Sequence, residues 1–171
     1  MKTKSYRIHY LSITGVFAAM ITVMTAYIAH VPVGANGTYI HFGDALIYLA
    51  AVLLPTPYAL AAAAIGGGLA DLLTAPVWAP ATIVIKMLLV LLFSNQTERI
   101  VTPRNVAALA PAYLVTGLGY FVAEYLMYGS AAATFIMSMS SNLIQSAGSA
   151  AVFVILGLAL DRAGLKKRIQ S

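Results

Sequence analysis

The chain has no cysteine, and only ten basic and five acidic side chains in 171 residues. Without cysteine, disulfides and thiolate metal sites are excluded, and redox chemistry gives no clue to compartment. Charged residues are 9% of the chain, where a soluble domain carries about a quarter. A core of this size cannot hide the 61% that are hydrophobic. The surplus must face lipid, in keeping with a mean hydropathy of +0.87. Reactive spacings are missing too. His9, His30 and His41 are scattered, with no H-E-x-x-H and no Ser–His–acid arrangement. No G-x-x-x-x-G-K-[ST] loop is present either, so the chain does not hydrolyse ATP by the usual means. These absences argue against an enzyme, a metal site or a cofactor. Any uphill work would draw on a partner or an ion gradient.

What is present is a series of apolar runs. They cover about 8–29, 42–54, 58–73, 79–93, 106–128 and 134–160, and continuous runs of this kind predict helices rather than barrel strands. The N-terminal basic stretch followed by an apolar run resembles a signal peptide. The run is longer than a signal h-region, however, and no small-x-small cleavage site follows, which makes it the first membrane helix. Pro55-Thr56-Pro57 divides the region from Phe42 to Thr74 into two pieces. Charge supports the division. Lys2, Lys4 and Arg7 lie in the first tail, and Arg162, Lys166, Lys167 and Arg168 in the last. Two basic tails belong on the cytoplasmic side, which requires an even number of spans. With six, Arg99 and Arg104 also fall inside and only Lys86 lies within a span. The expectation is an all-α membrane protein, a six-transmembrane-helix bundle in a single domain over 1–171, with both termini cytoplasmic. The net charge of +5 then reflects topology and contact with anionic lipid, and no nucleic-acid partner is implied.

The polar intramembrane residues gather toward the outer side. Helical rise places Asp44 and Asp71 near the outer boundary, Glu124 about 6 Å and Lys86 about 10 Å inside, and Asn142 and Gln145 about 12–17 Å inside. Buried charge is costly in a bilayer, so such a set marks an outward-opening pocket. Ser138, Ser141, Asn142, Gln145 and Ser149 share one helix face. The serines fit interhelical hydrogen bonding, whereas Asn142 and Gln145 offer donor and acceptor to an uncharged heteroaromatic ring or an amide. Asp71 and Lys86 fit either an ion pair joining spans three and four or ligand contact. Tyr120, Tyr125 and Tyr128 flank Glu124 at helical spacing, an aromatic wall beside a carboxylate. Trp78 and Tyr128 fit interface anchors. The first outer loop, Val31 to His41, is long and turn-rich, as a lid or binding loop would be.

Small residues line the early spans. Thr14, Ala18, Thr22 and Ala26 form one row of span one, with Gly15 and Ala19 beside it. Span three carries Ala61 to Ala64 and Gly66 to Gly68. Such faces let helices approach closely, either inside the bundle or against a partner.

Taken in order, several blocks resemble a substrate-binding S component of an energy-coupling factor (ECF) vitamin transporter. They are Gly15-Val16-Phe17-Ala18-Ala19, Val31-Pro32 with Gly37 to Ala45, and Gly66 to Asp71. Ala79 to Lys86 and Asn142-Leu143-Ile144-Gln145 with Gly148 complete the set. The resemblance implies a membrane-embedded subunit that captures a small water-soluble vitamin or precursor outside the cell. It further implies association with a scaffold transmembrane subunit and two ATPase subunits, in the plasma membrane of a prokaryote. The subfamily resembled contains riboflavin, hydroxymethylpyrimidine and pyridoxine binders. The small loops and the Asn/Gln pair favour a single ring, hence pyridoxine or hydroxymethylpyrimidine, with riboflavin as the alternative. Nickel and cobalt types are disfavoured, for want of a Met-His N-terminal pattern. Candidate substrate-binding residues are Tyr39, His41, Lys86, Tyr120, Glu124, Asn142 and Gln145. Candidate scaffold contacts are Gly15, Ala18, Ala19 and Thr22, although the family's A-x-x-x-A motif is matched most closely by Gly15 and Ala19. A secondary transporter or a structural membrane subunit are the rival readings.

Overall fold

Prolines and glycines punctuate the chain where the helices break. The computed structural model describes residues 2–28, 31–32, 39–129 and 132–170. Helix α1 (Lys2–Ala26) is followed by α2 (Gly43–Leu53) and α3 (Thr56–Thr74). Leu54, with ψ of 153°, leaves the helical region ahead of Pro55, and Pro57 lies in the first turn of α3, where its missing N–H removes no helical bond. A 3₁₀ turn, Pro76–Trp78, leads into α4 (Ala79–Leu92). Thr102 caps α5 (Pro103–Ala107) by accepting from the Asn105 N–H at 3.2 Å. Helix α6 (Leu109–Tyr128) ends at Gly129, whose φ of 70° suits glycine. Helices α7 (Ala132–Arg162) and α8 (Leu165–Gln170) complete the chain. The only strand pairing among the described residues is a two-residue antiparallel ladder, Val31 opposite Ile40 and Pro32 opposite Tyr39.

These helices fall on the six apolar runs, with shifted ends. Helix α1 begins near Lys2 rather than at 8, and α8 is an added short helix that hydropathy alone did not reveal. Four segments are long and apolar enough to cross a bilayer: Tyr6–Ala26, Thr56–Thr74, Pro103–Tyr128 and Phe135–Arg162. Helix α2 and the Pro76–Leu92 segment are shorter apolar helices.

Helix α2 is the centre of the bundle. All eleven of its residues are buried, packed among α1, α3, α4 and α7. At about 16 Å of rise it cannot cross a hydrocarbon core of about 30 Å alone. Enclosure by longer helices removes that requirement, because protein rather than lipid meets its ends. Tyr48 of α2 stacks on Phe93 at 4.7 Å and meets Phe153 edge-on at 5.9 Å, tying α2 to α4 and α7.

The row Thr14, Ala18, Thr22 and Ala26 is buried, which places it inside the bundle. Thr22 Oγ1 donates to Ala18 O at 2.9 Å and lies 3.1 Å from Gly66 O on α3. A Cβ on Gly66 would come within 2.7 Å of Ile21 Cβ and 2.9 Å of Ala18 O. The glycine is there because two backbones meet.

The bundle exposes Leu11, Val16, Leu72, Val84, Leu118, Val122, Ile144 and Ile155. A soluble monomer does not display so much large apolar side chain around its perimeter. This is a multi-pass membrane protein. At one end His9 Nε2 lies 2.9 Å from Ile169 O, Asn95 Nδ2 donates to Leu54 O at 2.8 Å, and Lys167 pairs with Glu98 at 3.0 Å. Trp78, Tyr128 and the short ladder belong to the opposite end.

Candidate ligand-binding site

The site grows from the first turn of α2. His41 is buried, and its Nδ1 accepts from the Gly43 N–H at 3.0 Å, fixing the entry to the helix. No side chain fits at position 43, because a Cβ there would collide with Thr25 Oγ1. The close fit directs Asp44 into the bundle, where it is 0% exposed.

Lys86 of α4 meets it. Lys86 Nζ donates to Asp44 Oδ1 at 2.6 Å, and the lysine is 1% exposed. Gln145 Nε2 of α7 donates to the other oxygen, Asp44 Oδ2, at 3.1 Å. One carboxylate thus joins three helices far apart in sequence. A buried charge is tolerable only with such pairing, and losing one partner leaves the other stranded. The expected Asp71–Lys86 alternative is corrected here: the ion pair of Lys86 is with Asp44. Sequence spacing favoured Asp71 because a short loop joins α3 to α4. The bundle instead brings α2 and α4 together, and Gly67 lets the Lys86 stem pass at 3.0 Å from where a Cβ would sit.

An aromatic wall stands beside the pair. Lys86 Nζ lies 5.4 Å from the centroid of the Tyr120 ring on α6, within reach of the ring's negative face. Tyr120 OH is 2.9 Å from Thr82 Oγ1, one turn before Lys86. Trp78 packs edge-on against Tyr120 at 6.0 Å and lies 6.5 Å from Tyr128. Trp78 is buried, not an interface anchor, and its Nε1 has no hydrogen-bond partner among the described residues. The anchor reading failed because the turn before α4 carries the indole inward.

The remaining candidates divide. Glu124 is buried one turn from Tyr120, but Tyr125 is exposed and packs on Phe121 instead of completing a wall around the carboxylate. Asn142 is buried with its amide donating to Ser138 O of its own helix at 2.8 Å, while Gln145 reaches across to Asp44. Tyr39 contributes backbone to the short ladder; its side chain, and residues 33–38 of the proposed lid, lie outside the described residues. Of the candidate scaffold contacts, Gly15 and Ala19 are on an exposed face of α1, and Ala18 and Thr22 are buried against α3. Asp44, Thr82 and Trp78 were missing from the candidate set. Asp44 carried a signal, as an acid opening an apolar run; Trp78 carried one only as an interface anchor, and Thr82 none beyond standing in the block that ends at Lys86.

The arrangement is a helical membrane bundle with a polar, aromatic-walled cluster at one end. The family model for the ECF-type riboflavin transporter, S component, matches residues 5–162. The chain belongs to this family and is a vitamin-uptake membrane subunit. It is also 31% identical over 149 residues, 85% of this chain and 95% of the relative, to an uncharacterized protein in the gap 3'region of Pyrococcus woesei.

Proposed function

We propose that this chain captures a single-ring vitamin or precursor, of the pyridoxine or hydroxymethylpyrimidine type, from outside a prokaryotic plasma membrane. The observation that carries the reading is the Asp44–Lys86–Gln145 cluster beside the Tyr120 and Trp78 rings. A flat ring bearing hydroxyl or amino groups would lie against the aromatics. Its polar edge would exchange hydrogen bonds with Lys86, Gln145 and the Thr82–Tyr120 pair. The compactness of this polar set favours one ring over a fused tricycle. His41, Glu124 and Asn142 belong to the same proposed site.

In this reading the chain crosses the membrane six times with both termini in the cytoplasm. The end that carries the tails and the α4–α5 connection holds nine of the ten basic residues, as cytoplasmic surfaces do. The cluster then opens outward. The chain works with a scaffold transmembrane subunit and two ATPase subunits, and the exposed Gly15 and Ala19 face of α1 is the surface offered to the scaffold.

Riboflavin is the second reading, favoured by the family model matched. Binding of pyridoxine, hydroxymethylpyrimidine, riboflavin and thiamine to the purified chain separates them. Tight binding of a single-ring ligand is expected. Binding of riboflavin alone overturns the single-ring choice, and binding of none overturns vitamin capture. Ion-driven uptake by the isolated chain in liposomes would favour a secondary transporter.

A further inference from the structure

A cavity of about 260 Å³ lies at the opposite end of the molecule from the ligand cluster, lined by Glu98, Arg99, Asp161, Gly164, Lys166 and Lys167 among others. Its charges are not equally committed. Asp161 accepts the Ile100 N–H through Oδ1 at 2.7 Å and the Val101 N–H through Oδ2 at 3.0 Å. Glu98 is paired with Lys167 at 3.0 Å. Lys166 is 2% exposed, yet its Nζ has no hydrogen-bond partner among the described residues. A buried ammonium that meets no acceptor among the described residues calls for one from outside the chain.

We propose that this cavity binds a phosphate group, held by Lys166 from within and by Arg99 from the exposed rim. A tetrahedral oxyanion can take the ammonium on one oxygen and the planar guanidinium fork on others. The two carboxylates lining the cavity do not repel it fully, since Asp161 is bound to two backbone amides and Glu98 to a lysine. Burial pushes the Lys166 ammonium below its ordinary value and the nearby Asp161 pulls it back up. A bound anion would pull it further the same way. Two sources of the group fit the position: the headgroup of an anionic phospholipid, drawn to the basic end of the bundle, and a soluble phosphate compound.

The test uses the full chain purified in an uncharged detergent and titrated with inorganic phosphate or acetate while the thermal midpoint is followed. In parallel, lipids retained from phosphatidylcholine nanodiscs, with and without phosphatidylglycerol, are counted by native mass spectrometry. Saturable stabilisation by phosphate or selective retention of phosphatidylglycerol is expected, and which arm responds names the source. Lys166→Met should weaken the responding arm at least tenfold. Arg99→Gln, on the exposed rim, should weaken it several-fold without disturbing the fold, and Arg7→Gln should leave it unchanged. No response in either arm overturns the proposal. So do an equal response to acetate, and equal losses in Arg7→Gln and the cavity variants.

Discussion

Lys86 Nζ and Asp44 Oδ1 lie 2.6 Å apart, joining α4 to the fully buried α2 by two residues 42 positions apart in the chain. Gln145 holds the second carboxylate oxygen, so the pair is the junction of α2, α4 and α7. Removing one charge strands the other. Asp44→Asn or Lys86→Met alone is expected to destabilise the bundle by about 3–5 kcal/mol, and the double variant by clearly less. Thermal unfolding in detergent checks this; additive losses would mean that the pair is not coupled.

The ring wall should act on affinity rather than on folding. Tyr120→Phe keeps the ring and loses only the hydroxyl beside Thr82, and is expected to weaken vitamin binding by about 1 kcal/mol. Tyr120→Ala also removes the face toward Lys86 and Trp78, and should cost substantially more. Calorimetric titration of the bound vitamin measures both, and equal affinities in all three proteins would remove Tyr120 from the site.

Gly66 sits where α1 and α3 touch, and a Cβ there meets Ile21 and Ala18 O. Gly66→Val should destabilise the protein by about 1–3 kcal/mol through overpacking. Gly15→Ala, with open space around the position, should leave the isolated chain as stable as before. If α1 presents that face to the scaffold, larger residues at Gly15 should lower recovery of the assembled complex in pull-downs.

Asp161 takes two successive backbone N–H groups of the connection between α4 and α5. Asp161→Ala leaves both without their acceptor and is expected to raise amide hydrogen exchange at Ile100 and Val101. Exchange across α2 should not change. Mass-spectrometric exchange resolves the two segments.

Lys166 gives the chain a pH signature. Its folded-state value lies below the ordinary 10.5, chiefly through burial, so at intermediate pH the unfolded chain holds a proton that the folded chain has released. Raising the pH toward 10.5 therefore relieves a penalty, and stability contributed at this site should rise. Lys166→Met should flatten that rise when thermal midpoints of the two proteins are compared across alkaline pH. A slope equal in both would place the titration elsewhere.

Much of the architecture was legible because lipid imposes a simple rule. Apolar runs and the Pro55–Pro57 break located α1 to α4, α6 and α7, with ends shifted by up to six residues, but not the short α8 that packs on α2 and α7. What stayed open was pairing. Thr14, Ala18, Thr22 and Ala26 have the spacing of a docking face, and the same spacing serves equally for packing on Gly66. Trp78 stood at a span boundary, where anchors stand, but the turn before α4 buries it. Spacing records which residues share a helix face and is silent on what that face meets.

The sequence by itself determined that this is a helical membrane protein with a few costly polar residues at one end, because composition and periodicity are local properties of the chain. Only the tertiary structure decided that α2, too short to span a bilayer alone, lies at the centre, and that Asp44 rather than Asp71 neutralises Lys86. It also decided that Gln145 joins the cluster while Asn142 bonds to its own helix. Those outcomes depend on how helices cross and rotate against one another, which is set by the close fit of glycines and side chains across the whole bundle.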